Sequence, residues 1–284
     1  MAGIRIVTDS TADLPEEMVQ ELGITVVPSI VRFGDEVLHE GVDITNAEFY
    51  HRITVDPEHP STSQPSPGEF VEAYQGIAAE ADEIISIHLS SDLSGTIESA
   101  TLAAGNEEVG TPVHVVDSRV ISGALGSLVM MAAERARDGV GVEAILSELN
   151  DWIPQGRICF LLDTLDYLKR GGRIGAAQAF LGSLLKVKPI LHVMNGVVEP
   201  LDRARSVRKA TDRILRYLHD EAGDGPLAYA GMLYSTDKDL AMAIKDRIDA
   251  EFEVERWYVT EIGAVIGAHT GPGAVGVAFP ARGG

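Results

Sequence analysis

Apolar runs and amphipathic stretches alternate along the first half of the chain. IRIVTD (residues 4–9) reads as a buried strand. The following LPEEMVQELG reads as a helix, with Pro15 in its first turn and Gly23 at its stop. SPGEFVEAYQGIAAEA opens on a capping box, with Ser66, then Pro67 at the first helical position, and Glu69 three residues after the serine. The strand EIISIHLS, the helix TIESATLAAG, the strand VHVVDS and the helical stretches ALGSLVMMAAERARDG and VEAILSELNDWI follow. This rhythm predicts a parallel α/β sheet. One segment departs from it. ITVVPSIVRFGDEVLHEGVDI alternates and turns at Gly34-Asp35, which predicts a small hairpin inserted over about residues 27–58.

After about residue 156 the pattern changes. KPILHVMNGVVEPL is two apolar runs joined by Asn195-Gly196, a strong hairpin signal. The helix SVRKATDRILRYLHDEA, the strand LAYAGMLYS, the helix KDLAMAIKDRIDAEF, the strand RWYVTEIG and a glycine-rich terminal strand complete the chain. Hairpins mixed with helices predict a second unit of α+β type. The expected division is a parallel α/β domain over 1–156 and a mixed-sheet α+β domain over 157–284.

A length of 284 residues suits two such domains, and a hydrophobic content of 45% suits a packed core. Charge narrows the range of partners. With 23 basic against 43 acidic residues the formal net charge is −20, which opposes binding to nucleic acid or to an anionic membrane surface. The single cysteine, Cys159, sits in RICFLLD and reads as a small buried hydrophobe, with no intrachain disulfide to form. The N-terminus runs straight into a strand, and no stretch approaches the ~20 apolar residues that span a bilayer. A cytoplasmic protein without stable membrane insertion is expected.

Four polar clusters stand beside strands or turns: TDST (8–11), STSQPSPGEF (61–70), HLSSDLSGTIES (88–99) and AHTGPG (268–273). In open α/β sheets ligands bind where strands pass into helices. Ser94-Gly95-Thr96 has that placement, with helix-start N–H groups and a hydroxyl suited to an anion. From this cluster alone Ser94 reads first as a helix cap. Arg170-Gly171-Gly172-Arg173 interrupts two helical stretches, and its glycines permit close backbone approach. Arg173 suits an anion, or an exposed turn. His269 stands alone in the apolar tail, where a lone histidine more often serves structure than chemistry.

The motifs VTDSTADLP, TSQPSPGEF, SSDLSGTIESA, DTLDYLKRGGRI, KPIL, GVVEPLDRARS and IGAHTGPGAVGVAF, in this order, resemble those of DegV family proteins. The resemblance runs from Ile6 to Phe279. It implies a two-domain DegV-like fold that holds a long-chain fatty acid between the domains. It also implies a carrier without catalytic activity of its own and without a cofactor. A separate fatty acid kinase would phosphorylate the bound carboxylate for phospholipid metabolism, and the carrier would take the acyl-phosphate onward. By the same resemblance Thr62, Ser94, Gly95 and His269 meet the carboxylate, Arg173 stands beside them, and Arg205 serves productive contact with the kinase.

The residues themselves suit such a ligand. Hydroxyls, helix-start N–H groups and a histidine offset the cost of burying a carboxylate. The apolar stretches AAQAFLGSLL and ALGSLVMM, with the adaptable Met130 and Met131, suit an acyl tunnel. Two other readings fit the same residue types. One is a serine hydrolase for lipid esters with Ser94, His269 and Asp9, although LSGT is not a nucleophile elbow. The other is a small-anion-binding protein.

Overall fold

A computed structural model describes residues 3–183, 187–223 and 225–282. The chain opens with β1 (Gly3–Asp9), a 3-10 turn (Ser10–Ala12) and α1 (Glu16–Leu22), then β2 (Thr25–Val27), β3 (Ile30–Phe33) and β4 (Glu36–His39). Next come α2 (Asn46–Val55), β5 (Ser61–Ser63), α3 (Pro67–Ala78), β6 (Ala81–His88), α4 (Thr96–Ala104) and β7 (Val113–Asp117). The four strands β2-β1-β6-β7 form an all-parallel sheet in that order. The predicted hairpin is β3–β4, and β5 adds to it as a third antiparallel strand. Ser66 closes its capping box with Glu69 at the start of α3.

Two helices, α5 (Ser122–Arg137) and α6 (Val142–Trp152), lead to β8 (Gly156–Leu161) and α7 (Asp166–Arg170). After β9 (Lys188–Met194) and β10 (Val197–Ala204) come α8 (Val207–Ala222), β11 (Ala230–Tyr234), α9 (Lys238–Asp249), β12 (Trp257–Glu261), α10 (Ala264–Thr270) and β13 (Val275–Pro280). Six strands form a mixed sheet in the order β10-β9-β8-β13-β11-β12, in which only β11–β12 is parallel. Asn195 and Gly196 both take positive φ, the geometry of a tight hairpin turn. The predicted mixed α/β architecture is the one observed. α5 packs on β1 and on β8 and β13, so one apolar core joins the two sheets through Leu125, Val129, Phe160 and Leu233.

Three expectations change. The glycine-rich tail is not one strand, because Ala264–Thr270 is helical and only Val275–Pro280 is extended. Small apolar residues at 264–268 let that helix bury against α2 and β3, so tertiary packing overrides its weak helical signal. The stretch 175–183 forms 3-10 turns rather than an α-helix, and Leu184 and Leu185 lie outside the described residues. Met130 is sealed in the core of α5.

Candidate functional site

The polar clusters converge because β5 and α10 are packed together. Thr62 is the middle residue of β5, opposite Val31 of β3. His269 is the penultimate residue of α10. Thr62 Oγ1 and His269 Nε2 are 3.0 Å apart. Both line a narrow cavity of about 80 Å³, together with Ser94 and Arg173. The rest of its wall is largely apolar and comes from both sheets: Leu89 and Leu93 follow β6, Phe160 lies in β8, Leu191 in β9 and Val198 in β10. The methionines of ALGSLVMM and the residues Ala176–Phe180 are not part of it. No residue of α5 lines the cavity, and only Ile121, just before it, reaches it.

Both ends of α10 are fixed. At its start, the Gly263 N–H donates to Asp13 Oδ1 at 2.8 Å and the Val265 N–H to Glu40 Oε1 at 2.8 Å. The Ser122 hydroxyl donates to Asp13 and the Ser10 hydroxyl to Glu40. Burial pushes both carboxyls above their ordinary range. At its end, α10 and α7 interlock. A Cβ on Gly171 would lie 2.1 Å from His269 Nδ1, and a Cβ on Gly271 would lie 2.2 Å from the Tyr167 ring. Each ring therefore occupies space that only glycine leaves open on the other segment. The His59 ring packs 5.7 Å from Tyr167.

His269 is pushed down to about 4, first by burial and then by the positive field of Arg173 and by His59. At neutral pH its ring is uncharged. Its Nδ1 is buried without a hydrogen-bond partner among the described residues. An N–H stranded there would cost more than a bare lone pair, so the proton belongs on Nε2, donating to Thr62. The Thr62 hydroxyl hydrogen is then free for an acceptor in the cavity.

Ser94 is not the cap of α4. Gly95 takes the N-cap position, and Ser94 Oγ lies 2.9 Å from Thr96 Oγ1. A Cβ on Gly95 would lie 2.7 Å from Gln64 Nε2, so this glycine lets the two polar loops close on each other. Arg173 donates from Nη1 to Gly171 O (3.0 Å) and from Nε to Leu93 O (3.3 Å), tying the α7 turn to the loop before Ser94. Arg205 is exposed in the bend between β10 and α8 and does not line the cavity. His59, Asp13 and Glu40 were invisible as site residues. No local pattern links them to His269, which lies more than two hundred positions away.

The hydrolase grouping does not assemble. Asp9 bonds His88 (2.9 Å), not His269. His88 does bond a serine, Ser86 (2.7 Å), but that hydroxyl is fully buried, is also held by Tyr74 and does not line the cavity. Cys159 is sealed in β8, and burial pushes its thiol up to about 12. Among the described residues no cluster of His, Cys, Asp and Glu is arranged to hold a metal, and no helix is long and apolar enough to cross a membrane.

The fold and site together define an α/β protein in which a parallel and a mixed sheet share one narrow cavity, whose wall joins apolar side chains to the polar group of Thr62, Ser94, Arg173 and His269. The chain belongs to the DegV family: the family model described as "Uncharacterised protein, DegV family" matches residues 3–282. It is 43% identical over 282 residues to a DegV domain-containing protein of Streptomyces coelicolor, covering 98% of this chain and 99% of that one. It is also 38% identical to the protein DegV of Bacillus subtilis, covering 97% and 98%. Among solved structures it is similar to a DegV family protein of Thermus thermophilus described for its fatty acid binding, with a TM-score of 0.92, 40% identity and coverage of 99% and 100%. The structure of Bacillus subtilis DegV, described as a fatty acid binding protein, gives a TM-score of 0.87 at 37% identity, covering 99% and 100%.

Proposed function

We propose that this chain binds a long-chain fatty acid in the cavity between a domain of residues 1–156 and a domain of residues 157–284. The observation that carries the reading is the cavity's mixed wall. Thr62, Ser94, Arg173 and His269 stand on the same narrow space as a wall of leucine, isoleucine, valine and phenylalanine. The Thr62 hydroxyl donates to the carboxylate and is oriented by the Nε2–H of His269. Ser94 and the Gly95 turn add donors from the opposite loop. Arg173 supplies positive charge at the head end. The tail contributes most of the affinity, at about 0.8 kcal/mol per buried methylene, before ordering costs. The head contributes on the order of 1–3 kcal/mol and fixes direction. A space of about 80 Å³ is smaller than the roughly 300 Å³ of ordinary small-molecule sites, so loading has to spread the apolar walls.

In this reading the protein is a cytoplasmic carrier without catalysis of its own. It presents the carboxylate to a fatty acid kinase, for use in phospholipid metabolism, and carries the acyl-phosphate onward. The exposed Arg205 serves the kinase contact rather than the lipid, in keeping with its place outside the cavity. The test is native mass spectrometry of the purified chain, followed by extraction and identification of any bound acid. A long-chain acid that exchanges with added palmitic acid is expected. Protein that neither carries nor takes up a long-chain acid overturns the reading. For the kinase step, Arg205→Ala is expected to bind palmitic acid normally and to lose phosphorylation by the kinase. Unchanged turnover overturns that role.

A further inference from the structure

We infer that Asp9 and His88 are positioning residues that set the spacing of two cavity walls, one from the end of β1 and one from the end of β6. This role rests on the fatty-acid reading above for its purpose, but its geometry stands independently. Asp9 is fully buried at the end of β1. Its Oδ1 accepts from the Thr11 N–H at 3.1 Å and from the Thr11 hydroxyl. Its Oδ2 accepts from the Leu89 N–H at 3.3 Å and pairs with His88 Nδ1 at 2.9 Å. Thr11 and Leu89 both line the cavity, so one carboxylate holds both walls.

His88 in turn is fixed from three sides. A carboxylate only accepts, so Nδ1 carries the proton toward Asp9. With the ring neutral, Nε2 accepts from the Ser86 hydroxyl at 2.7 Å, and Ser86 in turn accepts from the Tyr74 hydroxyl at 2.8 Å. The hydrogen bonds run one way, from Tyr74 through Ser86 and His88 to Asp9. The Phe70 ring meets the His88 ring edge-on, with centroids 5.0 Å apart. Leu89 also begins the loop that ends at Ser94. That loop is short: the Ser94 N–H closes on Ser90 O (3.2 Å), and the Ser90 N–H anchors it to Val120 O (2.9 Å). A shift at Leu89 is therefore passed to the Ser94 hydroxyl at the head end. None of Asp9, Ser86, His88 or Tyr74 lines the cavity, which makes them positioning groups rather than ligand contacts.

The experiment compares His88→Asn with His88→Gln in the full chain after lipid removal. An asparagine amide reaches the place of Nδ1 and keeps a donor on Asp9. A glutamine amide reaches the place of Nε2 and leaves Asp9 short of one. Two readouts are taken: the preference for palmitic acid over hexadecanol, and the hydrogen-exchange protection of the Thr11 and Leu89 amides without lipid. His88→Gln is expected to lower the acid preference about tenfold and to weaken both amides, while His88→Asn stays within about twofold of wild type. If His88→Gln does not fold, Thr11→Val, which removes the hydroxyl Asp9 holds, is expected to lower the acid preference in its place. Retained preference and protection in His88→Gln, or in Thr11→Val where it stands in, overturns the inference. So does equal loss in the glutamine and asparagine variants with a matching fall in melting temperature, which marks a purely structural residue. If wild type itself does not prefer the acid, the fatty-acid reading fails, and the exchange of Thr11 and Leu89 still decides the positioning claim.

Discussion

Two histidines, His88 fully buried and His269 half-buried, sit close to one cavity and are treated in opposite ways. His88 has a partner on each ring nitrogen, Asp9 on one side and Ser86 on the other. His269 has Thr62 on Nε2 and no partner on Nδ1 among the described residues. A fully satisfied buried network rigidifies what surrounds it, whereas a half-satisfied one marks a place where the fold accepts a cost. The difference separates the residue that holds the walls from the residue that faces the occupant.

The largest effect expected is on the satisfied side. Asp9→Ala strands the donors of Thr11, Leu89 and His88 in the core and is predicted to cost roughly 3–5 kcal/mol of stability in urea unfolding. A loss below about 1 kcal/mol would place Asp9 among ordinary buried polar groups.

On the unsatisfied side the effect is tied to pH. His269 falls from an ordinary 6.5 to about 4, so the folded state favours its neutral form. Its contribution is fully present above about 6.5 and is lost as pH falls toward about 4, on the order of 3 kcal/mol in all. His269→Gln removes that titration. Subtracting the two stability-versus-pH curves isolates it, and parallel curves would show that His269 is not held neutral.

Gly171→Ala sharpens the contrast more gently. The new methyl would lie 2.1 Å from His269 Nδ1, so the ring has to turn away from Thr62. Overpacking of this kind costs about 1–3 kcal/mol, and palmitic acid binding is expected to fall at least as far as in Thr62→Ala. Normal acid binding in Gly171→Ala would show that the ring-on-glycine interlock does not set His269.

The smallest effect has the opposite pH sign. His39 bridges Asp43 (2.7 Å) and Glu69 (2.8 Å), clasping the β3–β4 hairpin to the capped start of α3. Hydrogen bonds donated to those carboxylates raise its pKa. Its contribution is present below the unfolded value near 6.5 and is lost as pH rises through the raised folded value. The clasp is largely exposed, so its effect is expected to be smaller than any above and to shrink in salt. His39→Gln with an unchanged stability profile between about pH 6 and 8 would remove it.

The elements legible in the sequence are those whose signals are local. The Ser66–Glu69 box, the Asn195-Gly196 turn and the Gly34-Asp35 hairpin each carry their geometry within four residues or fewer. Strand β5 is all hydroxyl, STS, and forms only because β3 offers it an edge. Helix α10 has no polar face because it is buried, so its periodicity is silent. The grouping of Thr62, Ser94, Arg173 and His269 came from ordered motifs rather than from spacing, and the structure puts all four on one cavity. The partnership of Asp9 with His88 links two strands through the sheet and leaves no mark in either segment.

The place of β13 in its sheet bears on how the molecule is made. It lies between β8 and β11, so among the described residues the two halves of the mixed sheet meet through β13, which follows the other strands in sequence. During synthesis the parallel sheet can assemble on the ribosome, but the second sheet stays in two pieces until residues 275–280 emerge. The helix that carries His269 leaves the exit tunnel just ahead of them. Nascent chains stalled before β13 should therefore expose apolar strand edges, and the cavity cannot close before α10 has emerged.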